Sequence, residues 1–149
     1  MNPANHSDPQ TSIEVRVRTL RTLWFALLLS IGMYYVFTLI AERREDLAPN
    51  PNLSLALICA GMLIVLVTLL IKSRLLSKAV DQQNPVMVQQ AYVVTYAINE
   101  VAALLGLMDF FLTNDRYYFV LLIIAALGLL VHFPRREHVV NAAFKSSVL

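Results

Sequence analysis

VQQAYVVTYAINEVAALLGLMDFFL, residues 88–112, is a mostly apolar run with one acid near its middle, Glu100, and a second near its end, Asp109. At about 1.5 Å of rise per residue, a helix of this length is longer than the roughly 30 Å hydrocarbon core of a bilayer. A carboxyl group at such a depth costs roughly 2.5–3.5 kcal/mol on insertion scales. Glu100 therefore requires a partner, a proton or a chemical role.

Three further apolar runs, at 20–41, 53–71 and 117–133, are long enough to cross a membrane and contain no acid inside them. Hydrophobic residues make up 58% of the 149 and charged residues 15%, against about 25% charged in an ordinary soluble domain. Mean hydropathy is +0.61. These features predict an all-α integral membrane protein, residues 1–149 forming a single domain of four transmembrane helices arranged as two hairpins. The connections are short, which leaves little chain for a soluble catalytic domain.

The first twenty residues are polar, include Pro3 and Pro9, and lack a short apolar core before a cleavage site, so the first span is expected to be retained. Cys59 is the single cysteine, which excludes an intrachain disulfide and a cysteine metal cluster. With four spans, one face of the membrane carries Arg16, Arg18, Arg21, Lys72, Arg74, Lys78, Arg135, Arg136 and Lys145. The other carries Arg43, Arg44 and Arg116. The positive-inside rule then places both termini in the cytoplasm, in a plasma membrane of the bacterial inner-membrane kind. Because the basic residues cluster at span ends, anionic headgroups account for them and nucleic acid is not an expected partner.

Residues 11–23 place Ile13, Val17 and Leu20 on one face, as an interfacial helix would or as an extension of the first span would. ERREDLAPNPN, 42–52, reads as a solvated loop. KSRLLSKAVDQQNP, 72–85, reads as the second helix extended and stopped before Pro85. The tail from Glu137 groups Val139, Val140, Ala143 and Phe144, as a short helix lying on the membrane surface would. His132 is expected at the interface, and spans two and four are expected to face lipid.

On the third helix, Gln89, Val93, Tyr96, Glu100, Ala103 and Leu107 share a face, with Thr95, Asn99, Ala102 and Gly106 beside it. Ala102 and Gly106 allow a neighbouring helix to approach closely, and Asn99 can hydrogen-bond across that contact. Three roles for Glu100 stand side by side. It is a protonated acid hydrogen-bonded to Tyr34, Ser30 or Tyr96, a reversible site for a proton or small cation, or the partner of a basic group or cofactor in another subunit. Asp109 lies about 180° around the helix and roughly 13 Å along it, and is expected to be an interfacial acid near Arg116.

The loop KSRLLSKAVDQQNP followed by NEVAALLGL, residues 99–107, resembles the ion-carrying hairpin of the c subunit (proteolipid) of rotary ATP synthases. The resemblance covers residues 53–112, with Glu100 at the central acid and Gly106 and Leu107 matching the family pattern. Val101 stands where that family has alanine, and Gly61 is the one glycine of the preceding span. The resemblance implies that Glu100 is the proton or sodium site.

The expected function is a proteolipid-like subunit of a larger membrane assembly, with Glu100 as a proton- or cation-binding carboxyl. The alternative is a non-catalytic accessory or assembly subunit of a respiratory or secretion complex. Neither is an enzyme by itself, since no nucleophile with a base, phosphate loop or metal-ligand cluster is legible. No cofactor is expected, and the expected partners are the bilayer with other membrane subunits or further copies of the chain.

Overall fold

The computed structural model describes residues 9–42 and 48–144. Arg43, Arg44 and Lys145 of the charge distribution, and the first eight residues used to argue against a leader, lie outside the described residues. The described chain forms five helices: α1 (Pro9–Ile40), α2 (Pro51–Asp81), α3 (Pro85–Thr113), α4 (Tyr118–Val131) and α5 (Arg136–Ala143). Three of them, α1, α2 and α3, are long and apolar enough to cross a membrane.

Two Asn-Pro pairs start two of these helices. Asn50 and Asn84 are N-caps whose side chains accept from the backbone N–H groups of Leu53 and Val86, and Pro51 and Pro85 follow at the first helical position. Proline suits that position because its missing N–H would have no intrahelical partner there. Asn114 ends α3 in the left-handed conformation, φ 49°, which asparagine tolerates better than most residues. Pro134 separates α4 from α5, which are bent by 45°. With 14 residues, α4 alone is about 21 Å long.

α3 is the most deeply buried of the three long helices. It contacts every other helix, whereas α1 packs on α3, α4 and α5 but not on α2. Along α2 the buried residues include Ser54, Gly61 and Thr68, spaced by seven, so a small-residue seam faces α3 and α4 while most of its leucines face outward. At Gly61 an added β-carbon would fall on the side chain of Leu121, and at Gly106 it would crowd Leu121 and Leu122. Ala102 and Gly106 are both buried, and α4 lies on Gly106.

Of the two arrangements open to residues 11–23, the structure shows the extension: they form one unbroken helix with the first apolar run. The fourth span differs from expectation. α4 is not chiefly lipid-facing, because Leu121, Ala125 and Leu129 are buried against its neighbours. The tail forms the short helix α5. Val139 and Ala142 are buried and α5 packs on α1, α2 and α3, closing one end of the bundle, while Phe144 is exposed.

Candidate functional site

α1 crosses α3 along a line marked by three contacts. At one end Arg16 donates to Gln89 Oε1 (3.0 Å), and at the other the rings of Phe37 and Phe111 lie 6.0 Å apart. Between them Ser30 and Tyr34, one turn apart on α1, both donate to Oε1 of Glu100, at 2.9 and 2.6 Å. The i, i+4 spacing sets the two hydroxyls on one face of α1, and the acid reaches them from the middle of the 29-residue α3. Glu100 is partly exposed, and no residue among those described donates to its Oε2.

The chemistry of this arrangement follows from the hydrogen-bond inventory. A carboxylate accepts at both oxygens, and a carboxylic acid still accepts at its carbonyl oxygen while donating from the other. Ser30 and Tyr34 therefore satisfy Oε1 in either protonation state. Oε2 is left without a hydroxyl donor among the described residues.

Of the residues expected to support Glu100, the structure brings Ser30 and Tyr34 to it and takes Tyr96 and Asn99 elsewhere. Asn99 is rotated about 100° around the helix from Glu100, and Tyr96 about 40° to the same side, where α4 lies. The Asn99 amide donates to the Ala125 carbonyl at 2.7 Å, and the Tyr96 hydroxyl approaches the His132 carbonyl at 3.4 Å. Both side chains are buried. They tie α3 to α4 rather than completing the acid's hydrogen bonds.

His132 is not interfacial. Its residue is fully buried, and Nδ1 lies against the Gly128 carbonyl, which requires the proton on that nitrogen. Beside it Tyr92, also buried, pairs its hydroxyl with His138 Nδ1 at 2.6 Å, and Lys72 lies over the Tyr92 ring at 4.7 Å. These contacts join α2, α3 and α5.

Asp109 is likewise not an interfacial acid beside Arg116. It is fully buried, with Ser54 donating to Oδ2 and Thr113 to Oδ1, both at 2.8 Å, while Arg116 is exposed. The Thr113 carbonyl in turn accepts from the Asn50 backbone N–H at 2.9 Å. Both carboxyl oxygens are thus occupied, Oδ2 by the bond to Ser54 that fastens the start of α2 to the end of α3 and Oδ1 by a bond within α3 itself. Asp109→Leu is expected to leave the Ser54 hydroxyl unpaired and lower stability by about 1–3 kcal/mol, whereas Asp109→Asn, which keeps an acceptor for Ser54, loses less. The unfolding midpoint in mixed micelles measures both. Equal losses in the two variants would count against this role.

Compared with known proteins, the chain matches no family model, no curated protein and no solved structure.

Proposed function

We propose that this chain is a proton-handling subunit of a larger membrane assembly, in which Glu100 binds and releases a proton at mid-membrane depth. The observation that supports this is the asymmetry at the carboxyl: two hydroxyls on Oε1, none on Oε2, and partial exposure on the bundle surface. A carboxyl kept only for packing is expected to have both oxygens occupied, as Asp109 does. Glu100 instead leaves one oxygen available to a proton or to a cationic group of another subunit. The resemblance to the rotary ATP synthase c subunit agrees in the type of residue and its depth.

In this reading the chain crosses the membrane four times, α4 with its flanking residues forming the fourth span, and both termini are cytoplasmic. The distribution of basic residues supports that orientation, and a bacterial plasma membrane suits it.

One observation favours the accessory-subunit reading. α1 covers the face of α3 through which a bare two-helix hairpin would present Glu100 to its neighbours. Such a subunit would use the acid to receive a partner.

A hydrophobic carbodiimide tests the proposal, since it reacts with a protonated carboxyl inside a membrane. Modification mapped by mass spectrometry is expected on Glu100, its yield falling as the pH of labelling is raised. The chain should also leave its own membranes, in mild detergent, within a complex of fixed stoichiometry. An unmodified Glu100 at every pH would remove proton handling and leave the accessory reading.

A further inference from the structure

Two clefts meet where the N-terminal half of α1 passes the junction between α4 and α5. The first, about 360 Å³, is lined by Glu14, Arg18, Arg21 and Arg136 together with Val17 and Thr22. The second, about 390 Å³, is lined by Trp24, Phe25 and Phe133 together with the same Arg21 and Thr22. Sharing those two residues, the clefts form one surface that changes from basic to aromatic along little more than a turn of α1.

The two halves are held differently. On the aromatic side the Trp24 indole N–H donates to the Leu129 carbonyl at 2.7 Å, and its ring meets Phe133 edge to face, 5.1 Å between centroids. The Arg21 guanidinium stands 5.8 Å from the Phe133 ring centre, spanning the boundary. On the basic side three guanidinium groups face one carboxylate, and neither Arg18 nor Arg136 pairs with an acid among the described residues. Aromatic rings with an apolar body and a polar edge are favoured where acyl chains give way to headgroups, and guanidinium forks match phosphate oxygens.

We propose that this composite cleft binds an anionic phospholipid, with the phosphate among Arg18, Arg21 and Arg136 and the first part of an acyl chain on Trp24, Phe25 and Phe133. A choline headgroup carries a cation that three arginines repel, so the cleft selects for net negative charge rather than for phosphate alone. The assignment requires only that the bundle sits in a bilayer, and it does not depend on the role of Glu100.

Trp24 is the single tryptophan of the chain, and it forms part of the cleft wall, so its fluorescence reports occupancy directly. The full chain is reconstituted in phosphatidylcholine vesicles containing increasing fractions of phosphatidylglycerol with brominated acyl chains, which quench indole on contact. Brominated phosphatidylcholine gives the reference curve. Half-quenching is expected at a fraction roughly tenfold lower for the anionic lipid, with fluorescence restored by unbrominated phosphatidylglycerol. The triple variant Arg18→Gln, Arg21→Gln, Arg136→Gln should bring the two curves together. Coincident curves in the unmodified protein would overturn the proposal, whatever the variant does. Restoration by inorganic phosphate alone would mean a free-anion site, and would overturn the lipid assignment.

Discussion

Glu100→Gln is expected to leave the protein inserted and folded while abolishing modification at position 100 and any proton uptake that depends on it. Glutamine has nearly the shape of the acid and keeps a carbonyl oxygen to accept from Ser30 and Tyr34, so the α1–α3 contact survives. What it loses is the ability to change charge. Glu100→Leu separates the structural contribution from the chemical one. It removes the acceptor shared by two hydroxyls and should lower stability by about 1–3 kcal/mol, measured as the unfolding midpoint in mixed micelles. A glutamine variant as unstable as the leucine variant would indicate that charge on Glu100 holds the fold together. A glutamine variant with unchanged proton coupling in the native assembly would remove Glu100 from the transport path.

The second large effect is expected at Gly128, on the buried side of α4. A β-carbon added there would fall on Asn99 Oδ1 and lie 2.9 Å from Val65 Cγ1. Neither neighbour yields easily, because the Asn99 amide is buried and held by its bond to the Ala125 carbonyl. Overpacking of this kind costs about 1–3 kcal/mol, and displacing the amide adds roughly 0.6 kcal/mol, typical of a hydrogen bond between membrane helices. Gly128→Ala is thus predicted to be among the most damaging single-methyl changes in the protein. Asn99→Ala alone should cost much less, and combining it with Gly128→Ala should recover most of the loss. A double variant no more stable than Gly128→Ala alone would show that the strain lies elsewhere.

Hydrophobic run length and position made α1, α2 and α3 legible in the sequence, and the 3.6-residue period made the polar stripe on α3 legible. Ser30 and Tyr34 were accessible as partners of Glu100 because the first and third spans run in the same direction, so that residues near the middle of each lie at similar depth. The period could not say which neighbour each side of α3 faces. Tyr96 and Asn99 therefore seemed as close to Glu100 as the hydroxyls of α1, until the position of α4 separated them.

Small residues were the other obscured signal. Ser54, Gly61 and Thr68 form the seam of α2, yet they are scattered through an aliphatic run whose larger side chains dominate its hydropathy. Gly128 gains its importance from the Asn99 and Val65 side chains opposite it. Asp109 and His132 were placed by counting residues to a boundary, whereas each also meets a hydroxyl far along the chain, Ser54 at Asp109 and Tyr96 at the His132 carbonyl.

The central claim, that Glu100 changes protonation state within the bundle, is tested most directly by infrared difference spectroscopy of the full chain in bilayers, with glutamate isotopically labelled. Stepping from about pH 2 to about pH 10, a range that brackets carboxyl titration, should reversibly exchange a carboxylic-acid carbonyl band for carboxylate bands. That exchange should be missing from the same spectrum of Glu100→Gln. Spectra of the two proteins that change identically across this range would contradict the account.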